Sequence, residues 1–228
     1  KNSPTILKRR FIDNLNNNKL LGVYRLNDDV LTNKQDKLFY DILKKSIPKY
    51  DLVIVSDYGH GLISKKNANL ICKLSKYLAL NAQINAANVG YHSMKKYKNI
   101  DCVIINEKEL RHELRDKNSK MEILMRKLST ERNINNLIVT QGTSGSTLYN
   151  KKDKKFIVCD AYAKTALDKV GAGDAMLSII ALCLKCGFRE ELSLLMASLA
   201  AAQSVKTMGN KETINKTKML KSLENILK

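Results

Sequence analysis

Short runs of consecutive aliphatic residues, each ending in a polar or glycine-containing cluster, recur through the first two thirds of the chain. Leu52–Val55 runs into Ser-Asp-Tyr-Gly-His-Gly, Cys102–Ile105 into Asn-Glu-Lys-Glu, and Leu137–Thr140 into Gln-Gly. Val- and Ile-rich runs of this kind predict parallel strands covered on both faces. Between them apolar residues fall at helical spacing, over Lys34–Ser46, Lys65–Leu80, Glu107–Asp116 and Met121–Thr130. Helix and strand therefore alternate, which predicts an α/β protein with a doubly wound, mostly parallel sheet flanked by helices. In such sheets ligands bind beyond the carboxyl ends of the strands. Ser56-Asp57, the stretch Asn106-Glu107-Lys108-Glu109, and Thr140-Gln141-Gly142 are thus expected around one crevice.

The pattern then changes. Ser146–Asn150 and Lys155–Asp160 read as two strands about the polar turn Lys-Lys-Asp-Lys, an antiparallel edge in the C-terminal half. Three helical stretches follow, Ala175–Lys185, Glu190–Lys206 and Glu212–Leu227. The first has almost no polar face and predicts a buried helix. Gly171-Ala172-Gly173 leads into it, two of only 10 glycines in the chain. Small residues there leave backbone N–H groups unobstructed at a helix N-terminus, which is an anion site. A tight turn that needs glycine for its angles explains the same residues. Asp174 adjoins them. A carboxylate beside an anion site suits the removal of a proton from a hydroxyl attacking a bound phosphorus, where positioning matters more than base strength; helix capping is its other reading. Asn106 and Glu109, three apart after a strand, suit either a capping pair or the oxygen ligands of Mg²⁺, and both can hold at once.

Composition narrows the classes. At 228 residues the chain suits one large α/β domain or two small ones. The net charge of +18 raises a nucleic-acid reading, but the basic clusters (Lys8-Arg9-Arg10, Lys95-Lys96, Lys151-Lys152) are short and the remaining lysines are scattered. With no aromatic-interleaved basic patch, a lysine- and asparagine-rich proteome is the better account, and no specific nucleic-acid partner is expected. No run reaches the ~20 apolar residues of a membrane span, and no signal-peptide pattern opens the chain. Five cysteines, an odd number with three inside apolar runs, read as reduced thiols in a cytoplasm. Cys183 and Cys186 have CxxC spacing, but no second ligand pair follows, so a helix interior is favoured over zinc.

Three motifs in order, "NEKE", "VTQG" and "DKVGAGDAM", resemble those of the ribokinase-type (PfkB) carbohydrate kinases. The resemblance implies a ribokinase-like fold and ATP-dependent phosphoryl transfer to a sugar hydroxyl, with ATP and Mg²⁺ required. It makes Asp174 the catalytic base and Gly171, Ala172 and Gly173 the anion hole. Asn106, Glu107, Lys108, Glu109, Thr140, Gly142 and Asp168 fall on the nucleotide side, with Asn106 and Glu109 reaching the metal through water. The helix around Ala202–Thr207 would close the adenine pocket. More narrowly, "SDYGHGLIS" is similar to a loop of bacterial heptose-7-phosphate kinases, and "PTILKRRFIDNLNNNKLLGVYRLND" to the segment entering and leaving their substrate lid. That implies a heptose 7-phosphate as substrate, with Asp57 and Lys8 on the sugar side. The sequence departs from the pattern at Lys169, where threonine is usual, at His60, where the loop has lysine, and around Asn85 and Asn88, where an Asp-Pro-Lys strand end is missing.

The resemblance runs the length of the chain but begins well inside a complete kinase. The expectation is one ribokinase-like domain over residues 1–228, truncated at its N-terminus, with 1–28 a remnant of the lid, and with a sheet edge and part of the core exposed. A homodimer, a separate N-terminal segment or an adjoining nucleotidyltransferase domain are the protein partners this allows. The alternatives to a heptose-phosphate kinase are a ribose- or fructose-type sugar kinase, a remnant that binds nucleotide or sugar without turnover, and a basic nucleic-acid-associated protein.

Overall fold

In a computed structural model, residues 5–13, 15, 19–26, 29–84, 88, 92–163, 167–168, 170–206, 208 and 211–227 are described. The chain opens with β1 (Leu7–Ile12) and β2 (Lys19–Arg25), then α1 (Asn33–Ser46), β3 (Val53–Asp57), α2 (Lys65–Leu74), β4 (Leu78–Ala82) and β5 (Ile100–Asn106). It continues with α3 (Glu107–Leu114), α4 (Met121–Arg132), β6 (Ile134–Thr140), β7 (Ser146–Asn150) and β8 (Lys155–Cys159), and ends with α5 (Ala172–Lys185), α6 (Glu190–Ser204) and α7 (Lys216–Leu227).

Strands β3 to β8 form one six-stranded sheet in chain order. The pairs from β3 to β6 are parallel, and β7 and β8 add antiparallel pairs at the far side. The mostly parallel sheet with an antiparallel C-terminal edge is the architecture the pattern predicts. Side-chain alternation divides the core in two. From β5, Val103 and Ile105 pack with residues of α2, α3 and α4, while Cys102 and Ile104 pack against α5 and α6. Both faces are covered, which is why these strands are continuous apolar runs. β1 and β2 pair separately as a two-stranded antiparallel sheet.

One element corrects the sequence reading. The stretch Lys65–Leu80 is not a single helix: α2 stops at Leu74, and β4 begins at Leu78. No glycine or proline marks the break. The backbone turns to an extended conformation at Ser75 (φ −70°, ψ 130°), whose N–H closes the helix on Ile71 C=O. Leu78, Ala79, Leu80 and Ala82 are all buried. Leu and Ala have little preference for strands, so burial in the sheet overrides local propensity here. Two helix starts also move. α5 begins three residues earlier than predicted, at Ala172, and α7 begins at Lys216 rather than Glu212.

Candidate active site

The carboxyl ends of β3, β5 and β6 open on one cleft of ≈ 730 Å³. Asn106, Glu109, Thr140 and Gly142 line it from the strand ends, Gly171, Ala172, Gly173 and Asp174 from the start of α5, and Lys8 from β1.

The start of α5 has an open N-terminus. Gly171 is its N-cap, in the left-handed region at φ +89°, where glycine is favoured. It has no side chain with which to cap the helix. The amides of Ala172, Gly173 and Asp174 are the first of the helix and have no intrahelical acceptor; the bond from Ala175 N–H to Gly171 C=O opens the helical ladder. A Cβ built on Gly173 would meet no atom within 4 Å, so the residue borders open space. Such amides, aligned with the helix dipole, attract an anion.

Asp174 occupies the third position of α5, inside the first turn rather than at the N-cap. It is exposed. Its Oδ1 accepts a hydrogen bond from Ser56 Oγ (3.3 Å) and its Oδ2 one from the Tyr58 hydroxyl (3.2 Å). Burial, reinforced by the Asp174 charge, pushes the Tyr58 phenol above its ordinary range, so Tyr58 remains a donor at neutral pH. Both donors are neutral and leave the carboxylate able to take up a proton.

Asn106 and Glu109 form the capping box of α3. Asn106 Oδ1 accepts from Glu109 N–H (2.8 Å), and Glu109 Oε2 accepts from Asn106 N–H (2.8 Å). Glu109 Oε1 accepts a further bond from Ile84 N–H (3.1 Å). Burial pushes the Glu109 carboxyl up, opposed by those two backbone donors. Among the described residues no group of three or more His, Cys, Asp or Glu side chains could cage a metal. One carboxylate with lone pairs left over fits Mg²⁺ held mainly by phosphates and water, with Glu109 and Asn106 as its outer contacts.

Not every predicted residue reaches the cleft. Asp57 is drawn to the opposite face of the sheet. It is 5% exposed, and its Oδ2 takes an ion pair from Lys96 (2.7 Å) and a hydrogen bond from the Tyr97 hydroxyl (2.7 Å). Its Oδ1 accepts from Gly59 N–H (3.0 Å). Burial pushes its carboxyl up, but these donors outweigh burial and hold it below the usual range. The cause is strand alternation: Asp57 shares the face of buried Val55, whereas Ser56 turns toward α5. Glu107 is paired with Arg111 (2.7 Å) and accepts from Gln141, and Lys108 is exposed; neither lines the cleft. Asp168 Oδ1 accepts from Val170 N–H (3.0 Å), bracing the turn before Gly171 rather than lining the cleft. Ala202 and Val205 do line it; Lys169, Asn85 and Thr207 lie outside the described residues.

Sequence reasoning placed Ser56 at the crevice but gave it no role, and it missed Tyr58 and Arg10. The period of two was the available signal. Residues 56 and 58 flank Asp57 on the other face, and Arg10 follows Lys8 by two on β1, so both cations face the cleft. The Lys8 ammonium lies 5.3 Å from the centre of the Tyr58 ring, a cation–π contact.

Solved structures share this architecture. A putative ribokinase from Agrobacterium tumefaciens superposes with a TM-score of 0.76 at 15% identity over 99% of this chain and 70% of that one. The ribokinase of Arabidopsis thaliana solved with ribose and ATP gives 0.72 at 17% identity, over 98% and 70%. These likenesses define the fold as ribokinase-like. The profile of the pfkB family carbohydrate kinases matches residues 4–217, and the chain belongs to that family. Among curated relatives, a bifunctional protein HldE from Desulfatibacillum aliphaticivorans is 27% identical over 197 residues, covering 85% of this chain and 39% of the relative. An uncharacterized sugar kinase from Buchnera aphidicola is 30% identical over 185 residues, covering 80% and 57%. The chain thus spans only part of the length of these relatives.

Proposed function

We propose that this chain carries the catalytic and nucleotide-binding part of an ATP-dependent sugar-phosphate kinase, with a heptose 7-phosphate as its substrate. The observation that carries the reading is the juxtaposition of Asp174 with the uncapped amides of α5 in the cleft that Asn106, Glu109 and Thr140 border. Asp174 takes the proton of the acceptor hydroxyl as its oxygen forms the new bond to the γ-phosphorus, and the bond from that phosphorus to the ADP oxygen breaks. The amides of Ala172, Gly173 and Asp174 hold the charge on the equatorial oxygens of the migrating group. Mg²⁺, when bound, neutralises the phosphates, with Glu109 and Asn106 orienting its water shell.

Two observations favour a phosphorylated sugar over a neutral one. Lys8 and Arg10 both face the cleft from β1, and a second anionic group on the substrate would meet them there. The loop Ser56–Ser64 resembles that of heptose-7-phosphate kinases.

The test is ADP release from Mg·ATP with a panel of heptose 7-phosphate, fructose 6-phosphate, ribose and fructose. Heptose 7-phosphate is expected to give the highest kcat/KM. Replacing Lys8 and Arg10 by Gln should raise KM for the phosphorylated sugars by tenfold or more, on the scale of a charge-assisted hydrogen bond. A preference for a neutral sugar, unchanged in that variant, would overturn the substrate class. Absence of sugar-dependent turnover with the whole panel would overturn the kinase reading.

A further inference from the structure

We propose that a second cavity, beside the catalytic cleft but built from other residues, binds a phosphorylated small molecule. It has a volume of ≈ 550 Å³ and lies between the start of α2 and the 3₁₀ turn Met94–Lys96. Four lysines line it, Lys65, Lys95, Lys96 and Lys98, together with His92 and Ser93. Among the described residues its lining includes no carboxylate and shares none with the cleft.

The charge in this cavity is only partly balanced from within the protein. Lys96 is ion-paired with Asp57 at 2.7 Å, and Lys95 lies within electrostatic reach of Glu113. Lys65, Lys95 and Lys98 are exposed, and no ion pair neutralises them among the described residues. The backbone adds the same sign. Lys65 and Lys66 open α2, whose first turn holds no acid, although a helix N-terminus favours negative side chains and disfavours positive ones. Gathering like charges about one concavity costs stability, and a bound anion removes that cost.

The geometry suits a compact, multiply charged oxyanion. The Lys96 side chain is 16% exposed and tethered, donating to Ile63 C=O (2.7 Å) as well as to Asp57, so it forms a fixed floor. The other three ammonium groups sit on long stems at the rim and can close on a ligand. Lysine binds phosphate as a point charge from several directions, which this arrangement provides. The volume matches that of a small-molecule site. Among the described residues the one ring that lines the cavity is the His92 imidazole, which is buried and so offers no exposed platform on which the bases of a nucleic acid could stack.

The proposal is tested by calorimetric titration of the full chain with inorganic pyrophosphate, then with ribose 5-phosphate, at a constant ionic strength of about 0.15 M. Three double variants are compared. Lys65→Gln with Lys98→Gln alters the cavity, Lys8→Gln with Arg10→Gln alters the cleft, and Lys120→Gln with Lys127→Gln removes equal charge elsewhere. Both cavity positions are exposed and unpaired, and their charges are repulsive, so the variant should unfold at or slightly above the wild-type temperature. The expected result is binding that weakens tenfold or more in the cavity variant and persists in the other two. Equal weakening in the cavity and control variants would reduce the effect to net charge and overturn the site. Loss confined to the cleft variant would also overturn it, as would an oligonucleotide that outcompetes both small phosphates at this ionic strength.

Discussion

Replacing Asp174 by Asn separates the chemistry of this molecule from its stability. The amide is nearly isosteric but cannot accept the hydroxyl proton. One of the two acceptor oxygens becomes a donor, so either Ser56 or Tyr58 loses its partner. These bonds, at 3.3 and 3.2 Å, are longer than a good O–H···O contact, so the loss sits near the low end of the usual range, about 0.5 kcal/mol. The negative charge in the first turn of α5 also disappears, at about 0.3–1 kcal/mol. The total of about 1 kcal/mol corresponds to a fall of ~2–4 °C in Tm for a domain of this size. A missing general base lowers kcat by ~10²–10⁴-fold, or about 3–5 kcal/mol in the barrier. The assays are thermal unfolding and ADP release on the same preparation. A variant that retains more than a tenth of wild-type kcat would remove Asp174 from the chemistry, whatever its Tm.

Three further outcomes follow from the same geometry. Ser56→Ala and Tyr58→Phe should each lower kcat by about 2–10-fold without changing KM for ATP, the worth of one weak hydrogen bond to the base; steady-state kinetics that move KM instead would contradict this. The Asp57 carboxyl is held below its ordinary value, so its contribution is complete above the unfolded pKa of ~3.9 and is lost as pH falls through the lower folded value. Asp57→Asn should therefore cost about 3 kcal/mol near pH 7, as for a broken buried pair, with urea midpoints converging on wild type below pH ~4; a constant difference down to pH 2 would refute the linkage. Gly145 has φ +86°, and a Cβ there would lie 2.1 Å from Cys159 C=O, whereas one on Gly142 (φ +61°) would meet nothing within 4 Å. Gly145→Ala should lower Tm more than Gly142→Ala, the second costing only the ~1–2 kcal/mol of a left-handed residue; the reverse order in a melting experiment would contradict the geometry.

Much of the architecture was legible because buried parallel strands leave an unmistakable trace: Ile104 and Ile105, adjacent in sequence, are both buried because each meets a different helical layer. What was illegible depended on contacts that no local pattern encodes. The end of α2 at Leu74 is followed by Leu, Ala and Leu, which continue a helical spacing and become a strand only because the sheet claims them. Asp57 read as a substrate residue because it ends a strand on the ligand side. The adjacency of Lys96 and Tyr97, some forty residues later, is what buries it. Tyr58 was overlooked although it stands in the same quoted loop, since only the fold brings α5, over a hundred residues away, against it.

Two helix starts contrast in how they use their acid, and the contrast bears on the base role proposed for Asp174. Both α3 and α5 begin near the cleft, and both carry an acid at their third position, Glu109 and Asp174. At α3 the acid is turned back on its own N-cap, and Asn106 occupies the Glu109 amide in return. That terminus is closed, and protonating Glu109 on either oxygen would weaken one of its two backbone hydrogen bonds. At α5 the N-cap is glycine, so no reciprocal box can form. Asp174 stays exposed with two neutral hydroxyls, and the amides beside it have no intrahelical acceptor. The two starts, Asn-Glu-Lys-Glu and Gly-Ala-Gly-Asp, thus differ in one respect that the proposed function uses: the side-chain cap closes the first, and its absence leaves the first amides of the second without a side-chain partner and its acid exposed.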